Sequence, residues 1–167
     1  MDKTTFLAHQ NTLTVKRNFN APLDLVWRAW TESQLLDQWW APKPWKSETK
    51  YMSFKVGGYR LYAMVSPEGE KHWGKTDYDF ILPEKEFSGK DSFCDEDGNI
   101  NTAAPISHFT IHFSEVSDHT EVIINSEYDS VDDLTKVIEM GMKEGLSGSF
   151  CNLDEVLRKL PIHDGNS

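Results

Sequence analysis

Trp39-Trp40-Ala41-Pro42 closes the stretch whose reading decides the fold, and that stretch begins at Thr12. In Thr12 to Phe19, Leu13, Val15, Arg17 and Phe19 alternate with Thr14, Lys16 and Asn18. A period of two marks a strand with one buried face. Pro22 then suits the first position of a helix, and Asp24 falls in the first turn, where the helix dipole favours negative charge. Leu23, Val26, Trp27 and Trp30 form the apolar stripe of this helix. Thr31 and Gln34 have the spacing of a capping box for a second short helix, carrying Leu35, Leu36, Trp39 and Trp40 before Pro42 prevents its continuation. Five of the six tryptophans lie between Trp27 and Trp45. Rings that crowded at a helix end either plug a core or line the mouth of a cavity.

Downstream, from about Trp45 to Tyr128, alternating apolar stretches are divided by Gly57-Gly58, Pro67-Glu68-Gly69, Pro83-Glu84, Asp97-Gly98 and Ser117-Asp118. These are turn residues, and with no helix between the strands, consecutive strands are expected to pair antiparallel as a meander. Asp91 to Pro105, rich in Asp, Asn and Gly, reads as the most mobile loop. Asp95-Glu96-Asp97-Gly98-Asn99 resembles a calcium loop only superficially, because its Gly comes too early and the closing Glu is missing.

Ser130, with Asp133 three residues on, opens the last element. Val131, Leu134, Ile138, Met142, Leu146, Phe150, Leu153, Leu157 and Leu160 recur at intervals of three or four, which predicts one long amphipathic helix ending before Pro161. Gly141, Gly145 and Gly148 lie beside that stripe, although each costs about 1 kcal/mol against Ala in an exposed helix interior. Close backbone packing would offset the cost; so would a need for space beside the helix for a ligand or water.

Composition limits the partners. Seventeen Lys and Arg against 27 Asp and Glu give a net charge of -10, which repels a phosphate backbone, so nucleic acid is not expected. Met1-Asp2-Lys3-Thr4-Thr5 lacks the basic-then-apolar order of a signal peptide, and no apolar run approaches the length of a membrane span. A cytoplasmic protein without membrane insertion is expected. Cys94 and Cys151 have neither the density of a disulfide scaffold nor zinc spacing, and read as free thiols. Gly145-Leu146-Ser147-Gly148-Ser149 misses the nucleophile elbow at its last position, and dinucleotide and phosphate-loop signatures are absent. No metal and no cofactor is expected, and no catalytic residue is assigned.

Val15-Lys16-Arg17-Asn18-Phe19-Asn20-Ala21-Pro22, Val26-Trp27-Arg28-Ala29-Trp30-Thr31 and Trp39-Trp40-Ala41-Pro42, taken in order, resemble the opening of bacterial homologues of the C-terminal domain of the heat-shock chaperone ATPase activator. These homologues belong to the START-like (SRPBCC), or polyketide cyclase and lipid-transfer, superfamily. Gly57-Gly58, Pro67-Glu68-Gly69, the run from Gly74 to Pro83, Met140-Gly141-Met142 and Glu144-Gly145-Leu146 continue the likeness over roughly residues 12–160. The resemblance implies a single domain over 1–167 of α+β class: a helix-grip fold in which a curved antiparallel sheet of about six or seven strands wraps a long C-terminal helix, with two short helices after the first strand. It also implies a cavity between sheet and helix, used by some members for sterol, lipid or polyketide ligands. The chain departs from the pattern at Leu146, where many members carry an aromatic residue, and in its long Asp91 to Pro105 segment.

Strand alternation nominates the residues facing that cavity. On Lys71 to Ile81 the less charged set is His72, Gly74, Thr76, Tyr78 and Phe80; on Ser107 to Phe113 it is Phe109, Ile111 and Phe113. Adjacent helix positions point about 100° apart, so Trp39 is assigned as anchor and Trp40 to the cavity mouth. The expected ligand pocket comprises Trp40, Tyr59, His72, Tyr78, Phe109, Met142 and Phe150. Binding of a small hydrophobic molecule is the leading expectation. The alternatives are a cyclase- or dehydratase-like enzyme using His72 and Tyr78, and chaperone ATPase co-regulation suggested by the family's name alone. Composition leaves a homodimer through an exposed sheet face or edge open.

Overall fold

The computed structural model describes residues 4–160. Its elements run β1 (Thr5–His9), β2 (Thr12–Phe19), α1 (Leu23–Thr31), α2 (Ser33–Trp39), β3 (Lys46–Met52), β4 (Tyr59–Val65), β5 (Lys71–Leu82), β6 (Glu86–Cys94), β7 (Ser107–Val116), β8 (His119–Tyr128), α3 (Val131–Glu139) and α4 (Met142–Lys159). Among the described residues the strands form one antiparallel sheet in the order β1-β2-β8-β7-β6-β5-β4-β3. From β3 to β8 it is the expected meander, and β8 then pairs back onto β2. Register slips between Thr49 and Tyr51 and between Tyr78 and Phe80 mark the irregular points of the β3–β4 and β5–β6 ladders.

The strand count exceeds six or seven because Thr5–His9 forms an edge hairpin with β2, turned at Gln10, whose φ is 55°. Other expectations need correction. The single long helix is two, since Gly141 adopts a left-handed φ of 94° and caps α4. Only a residue without Cβ takes that conformation at little cost. The Thr31 capping box does not form: α1 runs on through Thr31, whose hydroxyl donates to the Trp27 carbonyl at 2.9 Å, and Glu32 caps α2 without a side-chain hydrogen bond. The helix-start signal at Ser130 does form, its hydroxyl accepting from the Asp133 N–H at 3.1 Å. Asp91 to Cys94 belong to β6 rather than to a loop. Phe80 points outward, 46% exposed, because the slip after Tyr78 turns the following side chains over and brings Ile81 against the core.

The core lies between the concave sheet face and the helices. Leu13, Val15 and Phe19 from β2, Phe109, Ile111 and Phe113 from β7, and Phe150, Leu153 and Leu157 from α4 are all buried in it. Arg17, buried among them, makes a two-pronged ion pair with Asp154 at 2.7 and 2.8 Å, fastening α4 to β2. A second polar network fastens α2. Asp37 accepts from the Ser47 hydroxyl at 2.9 Å, the Thr49 hydroxyl at 2.8 Å and N–H at 3.0 Å, and the Arg60 guanidinium at 3.1 Å. Arg60 is only 2% exposed, and it also donates to Ser47 and Thr49. Deleting the carboxylate leaves a buried cation short of its counter-charge. Asp37→Ala is therefore expected to lower unfolding free energy by roughly 2–3 kcal/mol, seen as a lower urea midpoint at unchanged slope, with Asp37→Asn losing less.

Candidate functional site

The end of α2 is pinned to α4. The Ser149 hydroxyl donates to the Trp40 carbonyl at 2.7 Å, and the Asn152 amide donates to the Ala41 carbonyl at 3.0 Å. These serve carbonyls that the end of a helix leaves without partners. Pro42 then lies across α4 at Gly148 and Gly145, where added Cβ atoms would stand 3.2 and 3.8 Å from its ring. Close packing therefore accounts for Gly148. Gly145 touches Pro42 as well, but it also borders open space.

That space is a cavity of about 360 Å³, toward the small end of the roughly 300–1,000 Å³ usual for ligand sites. Trp40 and Pro42 close one end, Val137, Met142, Gly145 and Leu146 form the helical wall, and Tyr62, Asp91, Phe93 and Tyr128 are among the sheet residues beneath. Gly74 permits part of this floor, since a Cβ there would stand 2.7 Å from the Tyr62 ring that crosses it. Across the sheet, Arg60, Thr76, Asp91, Ser107 and Tyr128 pair strand to strand and form a single polar row on the concave face.

Asp91 is the centre of that row. It borders both the main cavity and a void of about 30 Å³ beneath it, lined by Trp40, Arg60, Tyr78 and Phe109. One carboxylate oxygen accepts from the Thr76 hydroxyl at 2.6 Å. Burial pushes the carboxyl up to about 6; Thr76 and the Arg60 charge oppose that rise, and Asp77 adds to it. Burial likewise pushes the Tyr62 and Tyr128 phenols up to about 12, with the Asp91 charge contributing to both. Tyr78 is also raised by burial.

The seven residues nominated from sequence do not all meet. Trp40, His72 and Met142 line the cavity. Trp39 is fully buried and donates its indole N–H to the Ala29 carbonyl at 2.9 Å, the position of an anchor. Tyr78 and Phe109 border the small void, and Tyr78 packs against Phe54 and Phe87. Phe150 is core, its ring 5.4 Å from that of Phe19. Tyr59 lies away from the cavity, against Tyr51 and the Lys75 ammonium. His72 stands at the rim with its side chain 59% exposed, against the Trp45 ring and 2.9 Å from a Glu70 oxygen. Six residues along a strand span about 20 Å, so His72 and Tyr78 do not form an acid-base pair.

Sequence reading missed Tyr62, Asp91 and Tyr128. The alternation Phe87, Gly89, Asp91, Phe93 carried the signal for Asp91, but the Asp- and Gly-rich run that follows drew it into a loop assignment. In that run the Asp95 carboxylate turns back onto its own turn, accepting from the Asp97 and Asn99 N–H groups at 2.9 Å each. Among the described residues no three His, Cys, Asp or Glu side chains are placed to hold a metal ion.

A curved antiparallel sheet closed by helices over a cavity defines a helix-grip protein of the START-like class. The profile of the family described as "Activator of Hsp90 ATPase homolog 1-like protein" matches residues 20–158. The chain belongs to that family. Its fold is close to that of a protein from Arthrobacter aurescens (TM-score 0.87, 26% identity, 97% of this chain and 95% of that one). It is similarly close to Ms6760 from Mycobacterium smegmatis (TM-score 0.85, 28% identity, covering 95% and 98%). A Staphylococcus epidermidis protein also matches (TM-score 0.83, 25% identity, 98% and 99%). No curated protein matches the chain. No helix among the described residues is long and apolar enough to cross a membrane.

Because the folded protein holds the Asp91 proton to higher pH than the unfolded chain does, the contribution of Asp91 to stability falls as pH rises from about 4 to above 6. Asp91→Asn mimics the neutral form. It is expected to match the parent near pH 4 and to exceed it by at most about 3 kcal/mol at pH 8, in paired denaturant titrations. Equal stabilities at pH 8 would contradict the burial of this carboxyl.

Proposed function

We propose that this protein binds one small, largely apolar molecule in the cavity between the sheet and α4. The observation that carries the reading is the wall itself: Trp40, Tyr62, Phe93, Tyr128, Met142 and Leu146 surround a space of about 360 Å³ with Asp91 at its polar side. An apolar enclosure with a few convergent polar groups is the ordinary make-up of a small-molecule site. Family membership supports the reading by analogy of fold.

An enzyme of cyclase or dehydratase type is the second reading, and Asp91 rather than His72 would be its base. Efficient proton transfer needs an acid near the working pH, whereas the neighbouring Tyr62 and Tyr128 phenols stand at about 12. Chaperone co-regulation has only the family's description behind it, and a pull-down with the chaperone that retained no protein would end it.

Native mass spectrometry of the purified protein and a thermal-shift screen of hydrophobic compounds test the binding reading. A bound compound is expected to raise Tm in proportion to the logarithm of its excess over Kd. Leu146→Trp, which puts a bulky indole ring in place of an aliphatic side chain of the cavity wall, should weaken binding at least tenfold while the free protein stays folded. Silence in both assays, or full binding by the Leu146→Trp protein, would refute the reading.

A further inference from the structure

Asp91 is a carboxylate at a cavity wall with capacity to spare. Its hydrogen bond from Thr76 occupies one oxygen, and among the described residues no cation pairs with it. Arg60 is the nearest candidate, being close enough to oppose the rise in the Asp91 pKa. However, Arg60 Nε donates to Thr49 and its Nη2 to Asp37 and Ser47, so its ion pair is with Asp37. A buried carboxylate without a counter-charge is costly, so the site gains most from a ligand that supplies the charge. The remaining groups around Asp91 agree. Tyr62 and Tyr128 are cavity-lining phenols, and Trp40 and Phe93 present further aromatic surface. Aromatic rings attract a cation and do nothing for a carboxylate, and the Arg60 guanidinium already lies 4.2 Å from the Tyr62 ring centroid.

We propose that the cavity is selective for a lipophilic amine, a protonated amino group on a compact aromatic or alkyl body, with the ammonium on the free oxygen of Asp91. This inference rests on the binding function proposed above and narrows it to one chemical class. Fatty acids and other organic anions are disfavoured at neutral pH, because their charge would meet that of Asp91 while the nearest cation, Arg60, already pairs with Asp37. Neutral alcohols bind through the apolar wall and one hydrogen bond, without the charge term.

Three probes share one body and differ in the head: tryptamine, tryptophol and indole acetate. Hexylamine against hexanol repeats the contrast on an alkyl body. Titration calorimetry at pH 8 keeps Asp91 ionised and the amines protonated. The amine is expected to bind at least tenfold tighter than the matching alcohol, and the acid weakest. In Asp91→Asn the amine should lose at least tenfold while the alcohol changes less than threefold; Asp91→Glu should keep the amine preference. Equal binding of amine and alcohol by the parent protein, or an amine preference that survives in Asp91→Asn, would overturn the selectivity and leave the hydrophobic cavity function standing. Failure of every probe together with an empty hydrophobic screen would overturn both.

Discussion

Two carbonyls at the end of α2 hold the architecture of the site together. Trp40 and Ala41 present them just where a helix runs out of internal donors, and Ser149 and Asn152 of α4 supply the missing hydrogens. Because both donors are side chains of one helix, the α2 terminus and α4 cannot shift independently. Trp39 is thereby driven into the core, where its ring lies 4.7 Å from that of Trp30, and Trp40 is left facing the cavity. Pro42 crosses α4 closest at Gly148, where an added Cβ would stand 3.2 Å from its ring, and reaches ordinary contact range of Gly145. The cavity roof follows from these contacts.

Much of this architecture was legible in the sequence. Leu13, Val15, Arg17 and Phe19 announced β2 by simple alternation, and all four are buried as that pattern requires. Phe109, Ile111 and Phe113 did the same for β7. What failed to read were features without a periodic signature. The hairpin of β1 is a short edge strand whose apolar Phe6 and Leu7 are consecutive rather than alternating. The helix break at Gly141 hides inside an unbroken apolar repeat, since Ile138, Met142 and Leu146 keep helical spacing through it. The slip after Tyr78 changes which face a residue occupies without changing the residue pattern.

The site was less legible than the fold, for a related reason. A pocket gathers residues far apart in sequence, and its polar centre depends on registers that alternation alone does not fix. Arg60, Thr76, Asp91, Ser107 and Tyr128 come from five strands and meet only because four ladders bring them into line. Trp40 was accessible to sequence reasoning because a local rule, the angle between adjacent helix positions, separates it from Trp39. His72 was nominated by alternation in the same way, but alternation says nothing about how far along a strand the cavity extends, and His72 lies where it opens.

The left-handed turn at Gly141 divides the C-terminal helical segment into two cooperative units. Helical hydrogen bonding is not propagated through that turn, so α3, nine residues long, is below the length at which a helix persists unaided in water. Leu134 is its one fully buried residue, against six in α4. On these grounds α3 is expected to open locally at lower free energy than α4, its amides exchanging with solvent ahead of those of the core. Since Val137 of α3 forms part of the cavity wall, local opening of α3 would uncover the interior while the sheet, the tryptophan cluster and α4 stayed folded.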